Sequence, residues 1–221
     1  MVVCDARKRD DLSFVTERFG ASLHTLNADG SGSFSDLAKS QPADFSTVER
    51  SEDDLAALLY TSGTTGRSKG AMLSQANLLS NAKTLAQYWE FGESDVLLHA
   101  LPIFHSHGLF VATNVIAQAG GSMIFLPKLD IDQMIGFLPQ STTLMGVPTF
   151  YTRLLGDPRF TQELTGHMRL FISGSAPLLA DTHQQFEERT GHRILERYGI
   201  CLLYTSPSPR DQRGSRMPSS A

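Results

Sequence analysis

Between Val96 and Glu196 the chain alternates, without exception, between short apolar runs and segments of helical period. Val96-Leu-Leu, Ser122 to Leu126, Thr142 to Val147, Leu170 to Ser173 and Ile194 to Glu196 read as strands. Leu109 to Gln118, Ile131 to Leu138, Phe150 to Leu155 and Leu179 to Thr190 read as the helices between them. Strands alternating with helices argue for a mostly parallel sheet with right-handed crossovers. The expected fold is therefore α/β, a mostly parallel sheet with helices on both faces. In such sheets ligands bind beyond the C-terminal strand ends, so the loops there are the place to look for chemistry.

The residues before this core are less regular. Met1-Val-Val-Cys reads as the end of a strand, followed by a short helix from Asp10 to Phe19. Asn27 to Asp54 is a polar connection with one helical turn around Phe34 to Lys39, and its acidic cluster Glu49, Glu52, Asp53 and Asp54 reads as a solvated helix start. Leu55-Ala-Ala-Leu-Leu-Tyr60 has the continuous apolar pattern of a strand covered on both faces, and Ala71-Met-Leu that of another. Ser74 is a good N-cap for a helix whose stripe is Leu78, Leu79, Ala82, Leu85, Ala86 and Trp89.

Charge and cysteine content narrow the classes of function. A net charge of −4 gives no electrostatic footprint for nucleic acid or an anionic membrane surface. Gly108 to Gly121, the most apolar long segment, is broken by Thr113, Asn114 and Gln118 and is too short to span a bilayer. Cys4 and Cys201 cannot build a disulfide framework, and the first residues lack an apolar leader core; the expectation is a cytoplasmic protein without membrane insertion.

The strongest chemical signal is Tyr60-Thr-Ser-Gly-Thr-Thr-Gly-Arg-Ser-Lys-Gly70. Gly63, Gly66 and Gly70 let backbone approach a ligand; Thr61, Ser62, Thr64, Thr65 and Ser68 offer hydroxyls; Lys69 offers a positive charge. Backbone N–H groups and hydroxyls of this kind suit a triphosphate. It is not a Walker A loop, because Ser68 stands where that pattern requires Gly before its Lys.

Residues 60–70 resemble the phosphate loop of adenylate-forming (AMP-binding) enzymes: acyl-CoA synthetases, luciferases and peptide-synthetase adenylation domains. The resemblance runs in order through most of residues 1–200. Leu101-Pro-Ile-Phe-His-Ser-His-Gly-Leu109 resembles the family's aromatic-His loop beside the acyl pocket, and Ser173-Gly-Ser-Ala-Pro-Leu178 its adenine-binding loop. Glu196-Arg-Tyr-Gly199 resembles the opening of a motif that continues with Thr-Glu. Within the family the wording is most similar to malonyl-CoA synthetases.

The resemblance implies a ligase that joins a short dicarboxylate such as malonate or methylmalonate to ATP, then passes the acyl group to the thiol of CoA. It implies that Thr61, Ser62, Gly63, Thr64, Thr65, Gly66 and Lys69 hold the phosphates, Thr64 and Thr65 first among the hydroxyls. Gly174, Ser175 and Ala176 then line the adenine, with Tyr198 and Gly199 beside it and Tyr198 stacking on the base. His105 and Lys69 are the candidate catalytic residues, and His105, Ser106 and Arg153 the candidate acyl-site residues. Two readings of His105 stay open, a donor at the carboxylate or a histidine held by local hydrogen bonds; His107 reads more readily as the latter. A metal held by His105 and His107 lacks an evident third ligand. Arg153 is either a fork for the second carboxylate or a surface arginine on an amphipathic helix. Two other functions stay open: a ligase for a longer or aromatic acid, which calls for an apolar acyl pocket, and a non-catalytic nucleotide-binding module.

The resemblance stops after Ile200. The family's next residues are Thr and a Mg²⁺-ligating Glu, but Cys201 and Leu202 stand there. Eleven of the last 21 residues are Ser, Pro or Arg, and Cys201 to Asp211 resembles a translated transposase-end sequencing adapter, as does Met217 to Ala221. The expectation is a partial AMP-binding domain over residues 1–200, shortened at both ends, and a non-native disordered tail over 201–221. Lacking the family's Mg²⁺ ligand and its mobile C-terminal domain, the chain is expected to complete no catalytic cycle.

Overall fold

The structure, a computed structural model, describes residues 1–61 and 69–197, with Thr61 and Lys69 described by their backbone. The chain divides into two compact units, Met1–Glu49 and Arg50–Ala221.

In the first unit β1 (Val2–Cys4) and β2 (Leu23–Thr25) pair in parallel, joined through α1 (Arg9–Arg18). The second strand has no sequence signal beyond three residues and was absent from the expectations. Further on, α2 (Ser33–Lys39) is the helical turn expected around Phe34.

The second unit opens with an antiparallel hairpin of β3 (Leu55–Thr61) and β4 (Lys69–Ser74). The expectation that β3 is covered on both faces is corrected here: Leu55, Leu58 and Tyr60 are exposed, while Ala71 and Leu73 of β4 are buried. Nor does the acidic cluster start a helix. Asp54 closes a turn onto Ser51, and the carbonyls of Glu52 and Asp54 accept the N–H groups of Ala76 and Gln75. Those two residues open α3 (Gln75–Tyr88), where Ser74 forms the expected cap, exchanging bonds with Asn77 in a capping box.

The core of this unit is a five-stranded, wholly parallel sheet. Its strands are β5 (Val96–His99), β6 (Ser122–Phe125), β7 (Thr143–Gly146), β8 (Leu170–Gly174) and β9 (Ile194–Arg197), in spatial order β6-β5-β7-β8-β9. All four residues of β7 are buried. Because alternate residues face opposite sides, the sheet is covered on both faces. A π-helical segment, His107–Thr113, runs into α4 (Asn114–Gln118), which packs on α3. The other crossovers are α5 (Ile131–Phe137), α6 (Pro148–Leu155) with α7 (Gln162–Thr165), and α8 (Ala180–Thr190), which packs against both α6 and α7. Phe186 of α8 meets Tyr151, Phe160 and Phe171 at centroid distances of 5.0–5.7 Å, an apolar centre that fixes this layer on the sheet.

The N-terminal edge of the sheet is held by a polar cluster. Asp95 accepts two bonds from the Arg169 guanidinium, at 3.1 and 2.8 Å, and one each from Thr142 Oγ1 and Gly92 N–H. Burial pushes its carboxyl up, but these donors and the Arg169 charge outweigh that and leave it below the ordinary carboxylate range. With the N-terminal edge closed in this way, the opposite edge carries the loops described next.

Candidate active site

β5 and β8 end at the same edge of the sheet, with β7 between them. The loop after β5 is organised by His99, which is fully buried. Its Nδ1 accepts the Leu101 N–H at 3.2 Å, which leaves the proton on Nε2 to donate to the Gly108 carbonyl at 3.1 Å. One imidazole thus ties both ends of the loop 101–108. Gly108 is required where it stands, because a Cβ there would lie 2.3 Å from the Pro102 carbonyl oxygen. Burial lowers the pKa of His99, consistent with the neutral form these two bonds demand.

Two histidines emerge from this loop in different environments. Phe104 and His105 are exposed, and their rings meet at a tilt of 52° with centroids 4.5 Å apart. Ser106 is half-buried and His107 is buried. His107 Nδ1 lies 3.1 Å from Ser175 Oγ, a residue 68 positions away on the loop after β8. Its Nε2 is buried without a hydrogen-bond partner among the described residues. Burial, with the nearby Arg197 and His99, lowers the His107 pKa to about 4. A reading of His107 as satisfied by local bonds is therefore replaced by a tertiary contact across the strand ends.

The second loop is shaped by backbone. Gly174 is buried, and a Cβ on it would sit 3.0 Å from His107 Cε1. Ser175 takes φ +70°, a left-handed conformation uncommon outside glycine. Ser175 and Ala176 are exposed at the sheet edge. On the far side of the loop, Leu178 N–H donates to Glu196 Oε2 at 3.2 Å, and His183 Nε2 meets Glu196 Oε1 at 2.9 Å. The His183 bond, with the Leu178 N–H, lowers the Glu196 carboxyl below its ordinary value.

The structure thus brings together His107, Gly174 and Ser175 from the expected set of loops. It places Ser106 beside them in sequence, half-buried, and His105 on the outer side of its loop. Arg153 lies in the last turn of α6 with its side chain exposed, and among the described residues no hydrogen bond or ion pair joins it to either loop. Thr61 and Lys69 face each other as the last and first residues of the β3–β4 hairpin. Ser62, Gly63, Thr64, Thr65 and Gly66 lie between them, outside the described residues, as do Tyr198 and Gly199. Among the described residues no group of three or more His, Cys, Asp or Glu side chains could hold a metal ion, and no helix is long and apolar enough to cross a membrane.

His99, Glu196 and His183 were not singled out for these roles by sequence reasoning. A signal for His99 was present: an ionisable residue directly follows the fully apolar Val96-Leu97-Leu98 in a strand that must be covered. For His183, spaced along a polar helix face, no such signal exists.

Comparison with known proteins places these loops in context. The family model described as "AMP-binding enzyme" matches residues 5–205. A malonate–CoA ligase of Arabidopsis thaliana is 32% identical over an alignment covering 94% of this chain and 38% of the relative. The crystal structure of apo MatB from Rhodopseudomonas palustris superposes with a TM-score of 0.87 at 60% identity, covering 90% of this chain and 40% of that one. A malonyl-CoA ligase structure with methylmalonyl-CoA and AMP bound gives a TM-score of 0.70 at 30% identity, covering 86% and 44%. The chain therefore spans about 40% of the length of the proteins it matches.

Proposed function

Since the chain belongs to the AMP-binding enzyme family, we propose that it is the nucleotide-binding part of an acid–CoA ligase acting on malonate or a close relative such as methylmalonate. The observation that carries this reading is the convergence of the His107 and Ser175 loops at the C-terminal edge of the parallel sheet. The similarity to malonate-activating ligases supports the substrate class.

In this reading ATP lies with its adenine along the backbone of Gly174, Ser175 and Ala176. Its β- and γ-phosphates meet the 61–69 segment, where hydroxyls, backbone N–H groups and Lys69 offset the charge. Tyr198 and Gly199 flank the base. The acid enters beside His105 and Ser106, where the small Ser106 side chain leaves room for a compact acyl group. A carboxylate is a weak nucleophile approaching an anionic α-phosphate, so the protein's contribution is positioning and charge stabilisation. His105 donates to the reacting carboxylate, and Arg153 reads the distal one; for this the exposed Arg153 side chain must turn towards the acyl group. CoA is the acceptor of the activated acyl group. Among the described residues no side-chain cluster forms a Mg²⁺ site. A cytoplasmic location is part of the same proposal.

Equilibrium titration of the chain with a fluorescent ATP analogue tests the nucleotide site. Replacing Lys69 with Ala is expected to weaken binding about tenfold, in line with the loss of a charge-assisted hydrogen bond of about 1.5 kcal/mol. Equal affinity of the two proteins would refute the phosphate assignment. With nucleotide bound, malonate is expected to raise the unfolding temperature more than acetate or octanoate does. Removing Arg153 is expected to abolish that preference, and a preference for octanoate would move the substrate to a longer acid.

A further inference from the structure

We propose that His107 and Ser175 form a latch that holds the loop 174–176 in a strained backbone conformation competent for nucleotide, with His107 a positioning residue that itself touches no nucleotide. This rests on the reading of that loop as the adenine site.

Ser175 is one of two non-glycine residues with positive φ among the described residues, the other being Glu90 behind α3. A left-handed conformation costs a side-chain-bearing residue free energy, and it persists where surrounding contacts over-determine it. Three contacts do so here. His107 Nδ1 and Ser175 Oγ share a hydrogen bond of 3.1 Å. The imidazole packs on Gly174 so closely that a Cβ would sit 3.0 Å from it. Beyond Ser175, Glu196 holds the Leu178 N–H at 3.2 Å and is itself held by His183. The loop is thus pinned on both flanks, while Ser175 and Ala176 between them stay exposed.

His107 cannot move freely to relieve this arrangement. It is buried, and the loop that carries it is tied at Leu101 and Gly108 by His99. Its contact with Ser175 is therefore made by a rigid element against a strained one. Without the latch, Ser175 relaxes to negative φ and the competent loop becomes a minor population. Apparent affinity then falls in proportion to that population.

The test is titration of the 221-residue chain with a fluorescent ATP analogue, comparing wild type with H107A, H107N, S175A and the double variant H107A/S175G. H107A and S175A are expected to weaken binding about five- to thirtyfold, the range set by the left-handed penalty. H107N, with an amide near the place of Nδ1, is expected to lose less. H107A/S175G is expected to recover most of the affinity lost in H107A, because glycine adopts positive φ without a side-chain penalty. Glycine at 175 cannot refill the cavity left by the imidazole, so recovery separates the latch from general damage.

An affinity in H107A equal to wild type, or a double variant as weak as H107A, would overturn the proposal. If wild type binds no adenine nucleotide, the adenine reading fails, and the latch is read separately by amide hydrogen exchange without nucleotide. H107A is expected to speed exchange at the Leu178 N–H, which the pinned loop holds on Glu196, and unchanged exchange there overturns the latch on its own.

Discussion

Acidification should weaken the second unit through His107, in a pH range where the carboxylates contribute little. The unfolded chain takes up a proton on this imidazole near the ordinary value of 6.5, whereas the folded protein takes it up only near 4. Between those values the unfolded state binds more protons, so stability falls as pH falls, and the loss is complete once the folded group titrates as well. At about 1.4 kcal/mol per pH unit the whole interval corresponds to about 3 kcal/mol, of which about 2 kcal/mol is lost between roughly pH 7 and pH 5. His99, also lowered by burial, adds a loss of the same sign. Asp95 and Glu196, held below their ordinary values, lose their contributions at more acidic pH, as the carboxylates themselves titrate.

Urea unfolding at several pH values measures this directly. The chain's one tryptophan, Trp89, is buried in the core of the same unit and reports its unfolding by fluorescence. Replacing His107 with Asn keeps a polar group near Nδ1 and removes the titration. The H107N protein should lose about 2 kcal/mol less than wild type between roughly pH 7 and pH 5. Parallel pH profiles for the two proteins would refute the assignment of a neutral, buried imidazole to this position.

Two further outcomes follow from the packing. Replacing Asp95 with Ala removes the buried acceptor of Thr142 Oγ1 and of two Arg169 bonds, leaving the exposed Arg169 guanidinium only the Trp89 carbonyl, and should cost about 2 kcal/mol in urea unfolding, discounted for the exposure of Arg169. Replacing Ser74 with Ala removes the acceptor for Asn77 N–H in the capping box and should lower stability by about 1 kcal/mol, read from the same Trp89 transition.

Much of the core was legible from periodicity alone. The strands β5 to β9 and the main crossover helices coincide with the segments expected from the sequence, because a parallel sheet covered on both faces needs continuous apolar runs. The same rule misled at β3. Leu55 to Tyr60 is apolar throughout, yet it pairs antiparallel with β4 and leaves Leu58, Tyr60 and Met72 exposed on one side. An apolar run records a preference for burial and cannot show which surfaces are present to satisfy it.

The site divides along a similar line. Gly63, Gly66, Lys69 and their neighbouring hydroxyls are chemically suggestive within one short stretch, so the sequence by itself pointed to phosphate. Parallel strand direction likewise followed from the strand–helix alternation, and with it the edge of the sheet where ligands are expected, whereas the spatial order β6-β5-β7-β8-β9 came only from the structure. Which histidine of His105-Ser106-His107 turns inward was decided only by the tertiary structure. The two have the same chemistry, and only the closure of the loop on His99 buries His107 and exposes His105. The partner of His107 lies 68 residues away and reaches it only because β5 and β8 end at one edge of the sheet. Local sequence sets propensity and donor inventory. Distances across strand ends come from the packing of the whole sheet.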